Sequence, residues 1–170
     1  MLIYKDIVAG DELCSDTFPM TIVDDVVYEF NGRNITIKNG ISDALFGGNA
    51  SEEAAGDDDV ADSDETAIDI VYSNRLVEMS FDKKGYTSYI KGYMKSILER
   101  LNATNKERAE IFKSKVGAYV TKIIKNFDEY RFYCGESMNP DGMIIPCNYR
   151  EDQITPYFVL FKDGLEEEKC

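Results

Sequence analysis

The sequence predicts an α+β fold, with short strands at both ends of the chain, a helical hairpin between them and an acidic loop ahead of the hairpin. Three observations carry that prediction. Residues 127–170 hold aromatic and β-branched runs split by turn residues. Residues 83–127 repeat apolar side chains at three- and four-residue intervals, the signature of amphipathic helix. Residues 50–67 hold almost no bulky side chain and many carboxylates, so they cannot bury enough apolar area to offset their ordering entropy. At 170 residues the chain is one domain, 1–170, and a chain of this size buries roughly 70% of its unfolded surface.

In order along the chain, residues 2–4, 20–23, 26–30 and 35–37 read as small strands separated by Gly, Asp and Asn turns. Asn31-Gly32 between the last two is a hairpin signal. A flexible acidic loop is expected over 40–66, with Gly47-Gly48-Asn49 and a run of acids, and no base occurs between Lys38 and Arg75. Sheet-like segments over 68–71 and 75–79 then return the chain to the body.

A helix begins at Lys83, capped by the Asp82 carboxylate, and presents Tyr86, Tyr89, Ile90, Tyr93, Met94, Ile97, Leu98 and Leu101 on one stripe. After a polar turn over 102–105 a second stripe runs through Phe112, Val116, Tyr119, Val120, Ile123, Ile124 and Phe127. Two such helices form an antiparallel hairpin, 83–127, whose tyrosines are read as core packing. Three strands follow, over 130–135, 143–149 and 157–161, with turns at Asn139-Pro140-Asp141-Gly142 and at Glu151-Asp152-Gln153. Pro146 cannot donate to a ladder, which predicts that its strand lies at an edge or carries a bulge.

Charge sets the hairpin apart. Between 83 and 125 there are eleven bases and three acids, a balance of +8. With −13 for the whole chain, everything outside the hairpin carries −21. Nucleic acid is excluded as a partner, because its phosphates would meet that acidic body within about a Debye length. An acidic protein surface suits the arm better, and Lys83, Lys84, Lys91, Lys95, Lys113 and Lys122 are the candidate contacts. The alternative is a solvated face whose lysines balance the body.

Catalytic signals are absent. Histidine does not occur, which removes Ser-His-Asp and Cys-His arrangements, and Gly47-Gly48 belongs to no phosphate-binding motif. Cys14, Cys134, Cys147 and Cys170 form no C-x-x-C pair, which argues against zinc and any other tightly held cofactor. Neither Cys134 nor Cys147 has an activating cation beside it in sequence. Asp57, Asp58, Asp59, Asp62, Asp64 and Glu65 offer hard oxygen ligands, but the EF-hand order fails at Ala61 and Asp62. Any Ca²⁺ bound there is expected at roughly 10⁻⁴ to 10⁻³ M. No apolar run approaches the ~18 residues of a membrane span, which predicts a cytoplasmic protein without membrane insertion. Three glycosylation sequons, at Asn34, Asn49 and Asn102, are read as chance matches.

Several segments resemble one family. Leu2-Ile3-Tyr4-Lys5-Asp6, Gly47-Gly48-Asn49-Ala50-Ser51-Glu52, Tyr89-Ile90-Lys91-Gly92-Tyr93-Met94-Lys95 and Gly135-Glu136-Ser137-Met138-Asn139-Pro140-Asp141-Gly142 are similar to the translationally controlled tumour protein family, as are Tyr149-Arg150-Glu151-Asp152 and Phe161-Lys162-Asp163-Gly164-Leu165. The resemblance implies a β-tent of mostly antiparallel sheets with an inserted helical hairpin, in a cytosolic protein that acts by binding and not as an enzyme. It further implies association with tubulin and microtubules, translation elongation factors, a Rheb-type small GTPase and anti-apoptotic partners, with weak calcium binding.

By the same resemblance Glu12 matches a proposed GTPase contact, with nucleotide exchange as the alternative function. Cys170 matches a terminal cysteine proposed to link a monomer into a weak homodimer. Ala44 stands where some members carry a kinase-targeted serine, and Ser63 is the only suggested substitute.

Overall fold

The computed structural model describes residues 1–38, 41–42 and 65–169. Every strand pairing in it is antiparallel. The strands are β1 (Leu2–Asp6), β2 (Glu12–Ser15), β3 (Met20–Val23), β4 (Val27–Asn31), β5 (Asn34–Lys38), β6 (Ile41–Ser42), β7 (Glu65–Ile68), β8 (Val77–Met79), β9 (Arg131–Cys134), β10 (Ile145–Tyr149), β11 (Pro156–Phe161) and β12 (Leu165–Lys169). Among the described residues three α-helices accompany them: α1 (Asp69–Asn74), α2 (Lys83–Thr104) and α3 (Lys106–Lys125).

The strands form three sheets, ordered β12-β1-β2, β3-β4-β11-β10-β9-β8 and β6-β5-β7. β11 is buried at every position because it lies inside the six-stranded sheet, between β4 and β10, with both faces covered. The hairpin α2–α3 enters between β8 and β9, which are themselves partners, with Val77 opposite Cys134. It is therefore an insertion into a strand pair of the same domain. Phe81, Tyr86, Phe127 and Phe132 join it to the sheet, with ring centroids 4.7 Å apart for Tyr86 and Phe132 and 5.3 Å for Phe127 and Phe132.

Several sequence expectations are corrected. Residues 68–71 do not form a strand: β7 ends at Ile68 and α1 starts at Asp69. The Asp69 carboxylate accepts from the amides of Ile70 and Arg33, which turns the chain there, and Ile70 is fully buried. Tertiary contact overrides the strand preference of Ile-Val-Tyr.

Asn31-Gly32 does not close a hairpin either. β4 pairs with β3 and β11, whereas β5 pairs with β6 and β7, so Gly32 is the crossing between two sheets. A Cβ on Gly32 would lie 2.9 Å from Ile68 Cγ2 and 3.0 Å from Asp69 Oδ1, so the crossing is tight.

Pro146 lies in an interior strand with no register shift, not at an edge or bulge. It pairs with Phe132 of β9, while the ladder to β11 starts only at Cys147, so no β11 residue is left opposite its missing donor. Residues at both ends of the expected loop, 40–66, lie in strands, and residues 43–64 lie outside the described residues. Ile41–Ser42 pairs with β5, and Glu65 and Thr66 lie in β7 opposite Ile37 and Thr36. The polar turn of the hairpin is likewise only Asn105, which ends α2 and caps α3.

β2, α1 and β12 have no counterpart in the sequence reading. β12, with its three consecutive glutamates, looks like a solvated tail yet pairs residue for residue with β1, from Leu2 opposite Lys169 to Asp6 opposite Leu165.

Candidate functional site

The hairpin presents two surfaces, and the inner one fixes its position. Asp82 caps α2 through a 2.6 Å bond from the Gly85 amide, and Asn105 caps α3 through a 3.1 Å bond from the Arg108 amide. Tyr86, Ile90, Tyr93 and Ile97 of α2, with Phe112, Val116, Tyr119, Val120 and Ile123 of α3, are buried as the stripe requires.

Two polar anchors then hold α3 to the body. Arg108 donates to both oxygens of Asp163, at 2.6 and 2.8 Å, to the Asp25 carboxylate at 2.7 Å, and to the Asp25 carbonyl. Lys162 also reaches Asp25, at 2.7 Å. The Asp25 carboxyl is held below its ordinary range by the bond from Lys162 and by the Arg108 charge, and Arg108 is raised in turn by its bond to Asp163.

Asp24 and Asp25 make the β3–β4 turn with φ of 52° and 62°, the type I′ conformation that usually takes Asn-Gly. The second anchor is Glu29, an acid buried in β4. It accepts from Tyr119 Oη at 2.5 Å and from Arg150 Nη1 at 2.6 Å, while the Arg150 guanidinium sits 4.0 Å over the Tyr157 ring. Burial and the Glu29 contact push the Tyr119 hydroxyl pKa upward.

The outer surface carries the predicted lysines. Lys83, Lys84, Lys91, Lys95, Lys113 and Lys122 are all exposed and none takes part in an ion pair among the described residues. Lys122 only overhangs the Tyr119 ring, at 5.2 Å. The raw balance of +8 overstates this surface, because Arg108 faces inward with a side chain only 14% exposed. Charge counting did not reveal Arg108, Asp25, Glu29, Tyr119 or Asp163. Two signals were present: Asp24-Asp25 between β-branched runs, and Glu29 alone among apolar neighbours.

Glu12 opens β2, is exposed, and edges a depression of about 250 Å³ together with Ile3, Cys14, Phe18, Ser73 and Asn74. The neighbouring Asp11 binds the 135–138 turn, accepting from Ser137 Oγ at 2.6 Å, and a Cβ on Gly135 would collide with the Asp11 side chain. Arg75 pairs with Glu136 across the same edge at 3.3 Å. Gly135 and Glu136 are thus turn and surface residues here.

The thiols of Cys14, Cys134 and Cys147 are buried. Burial pushes Cys14 and Cys147 up to about 12 and also raises Cys134, the opposite of what a reactive thiolate needs. No cluster of three or more metal-binding side chains occurs among the described residues. Of the calcium candidates, Asp57, Asp58, Asp59, Asp62 and Asp64 lie outside the described residues, and Glu65 belongs to β7. Cys170, Ala44 and Ser63 also lie outside them. No helix among the described residues is long and apolar enough to cross a membrane.

Comparison with known proteins agrees over the whole chain. The family model described as translationally controlled tumour protein matches residues 1–166. Homologues of translationally controlled tumour protein from Schistosoma japonicum and Schizosaccharomyces pombe are each 50% identical over 169 residues, 99% of either chain. The solved translationally controlled tumor-associated protein p23fyp of Schizosaccharomyces pombe superposes with a TM-score of 0.84 at 50% identity and full coverage of both chains. The Caenorhabditis elegans translationally controlled tumour protein does so at 0.73 and 36% identity, covering 100% of this chain and 99% of that one. The end-to-end match and the shared sheets with their inserted hairpin have one meaning: the chain belongs to the translationally controlled tumour protein family.

Proposed function

We propose that this protein acts by binding other proteins in the cytoplasm, with the outer lysine face of α2–α3 docking on acidic segments such as tubulin tails. That role accords with microtubule stabilisation and with service to translation factors. One observation carries it: six exposed lysines on a rigidly anchored hairpin have no acidic partner among the described residues, on a chain of net charge −13. Opposite charge held on a fixed scaffold raises encounter rates and sets orientation. The test is microtubule co-sedimentation of a variant with Lys91, Lys95 and Lys122 changed to Glu. Pelleting should fall while the fold survives; unchanged pelleting overturns the role of the arm.

The Glu12 depression favours a second reading, contact with a Rheb-type small GTPase. Glu12 is exposed at the edge of a concave surface lined by Ile3, Cys14, Phe18, Ser73 and Asn74. Release of a labelled nucleotide from the GTPase should quicken with the protein present and revert with Glu12→Ala. Equal release by both forms removes this reading.

A further inference from the structure

On the flank of α2, away from the Glu12 edge, a cleft of about 520 Å³ opens between the helix and the 139–142 turn. Its volume falls within the range of small-ligand sites. The floor is Ser88, Gly92 and Ser96, four residues apart and so on one helical face. One wall is the stacked pair Tyr89 and Tyr93, with centroids 5.7 Å apart and planes 19° apart, and the rim holds Asp141.

Three features mark this cleft as more than a gap in packing. First, a Cβ on Gly92 would meet nothing within 4 Å, so no neighbour demands glycine there, although glycine weakens a helix interior. Second, Thr87, Thr104, Ser114 and Thr121 return their hydroxyls to carbonyls of their own helix at 2.7, 2.8, 3.1 and 2.8 Å. Ser88 and Ser96, the other two serine or threonine hydroxyls of the hairpin helices, make no such bond among the described residues and are left for a guest. Third, the nearby carboxylates lack cations among the described residues. Asp6 is 3% exposed and accepts from the amides of Val8, at 2.8 Å, and Met143, at 2.7 Å. Asp141 takes part in no ion pair among the described residues, and its amide is held by Asn139 Oδ1 at 2.9 Å. Behind the wall, Tyr89 donates to the Gly142 carbonyl at 2.6 Å and accepts from the Ile144 amide at 3.0 Å, so its ring cannot swing into the space.

We propose that this cleft binds a small aliphatic ammonium ligand. Its chain would lie over Gly92 against the tyrosine rings, and its cationic end would meet Asp141 and the field of Asp6, with Ser88 and Ser96 accepting its N–H groups. The exposed Asp141 at the rim and the buried Asp6 behind it, neither with a counter-ion among the described residues, beside aromatic faces, favour a cation over a neutral or anionic guest. Lys83, Lys84, Lys91, Lys95 and Arg100 on the same helix are the groups that oppose this field, with Lys84 one turn before Ser88, and none of them lines the cleft.

The probe is cadaverine, titrated into the ¹⁵N-labelled full chain at fixed ionic strength, with pentanol as the uncharged comparison. Saturable amide shifts are expected at Ser88, Gly92, Ser96 and Asp141, with pentanol weaker by roughly tenfold or more. Gly92→Leu fills the floor without changing net charge and should abolish the shifts while its spectrum stays folded. Asp141→Asn, on an exposed turn, should weaken binding several-fold, whereas Glu166→Gln on β12, with the same charge loss, should not. Shifts that spread over every acidic surface, persist in Gly92→Leu or match those of pentanol overturn the proposal.

Discussion

The two surfaces of the hairpin hold positive charge in unlike ways. On the inner side Arg108 is enclosed, makes four hydrogen bonds to Asp163 and Asp25, and fixes where α3 sits. On the outer side six lysines project into solvent with no acidic partner among the described residues. The same kind of charge is structural on one side and available on the other, so a net charge per segment says nothing about function until each group's direction is known.

Breaking the inner side should cost most. Arg108→Met leaves Asp163, whose side chain is 6% exposed, without its cation, and the expected loss is about 3 kcal/mol, read as a lowered urea midpoint. A loss under about 0.5 kcal/mol would place Arg108 with the outer lysines. Acid tests the same anchor. Asp25 has a lowered folded pKa, so its contribution is fully present above the ordinary carboxylate value near ~4 and fades as pH falls through the folded value. In Asp25→Asn that part of the acid dependence should vanish from a pH series of unfolding midpoints.

Tyr119→Phe removes one of the two bonds to buried Glu29 and should destabilise by about 1–2 kcal/mol in the same assay. The outer surface should respond least. The triple reversal of Lys91, Lys95 and Lys122 should shift stability by no more than about 0.5 kcal/mol per site while changing partner binding. A large loss of stability would mean that those lysines serve the fold.

What the sequence disclosed follows from which forces are local. The stripes of α2 and α3 were legible because a helix writes its buried face at a fixed period, and the Asp82 cap because capping is decided within four residues. β12 was hidden because Glu166, Glu167 and Glu168 resemble a solvated tail, and only β1, at the other end of the chain, makes them a strand. α1 was hidden because Ile70 and Val71 favour strands in isolation, while the bond from Arg33 to Asp69 is a contact across 36 residues. Pro146 misled for a related reason, since its cost depends on which side of β10 is laddered at that residue and not on the strand's rank in the sheet. At the candidate surfaces the lysines were visible by count, but the inward turn of Arg108 was not, because charge has no direction in a sequence.

The pairing of β1 with β12 has a consequence for the order of assembly. Leu2 lies opposite Lys169, so this sheet closes a loop that contains nearly the whole chain. Bringing such distant ends together costs about 4–5 kcal/mol of chain entropy if the interior is still unfolded. The cost shrinks once the six-stranded sheet and the hairpin have formed, because the ends are then tethered near each other. Closure of β1 on β12 is therefore expected after those elements have formed, and β12 must be synthesised before β1 gains that neighbour, whereas its pairing with β2 spans only residues 2–15.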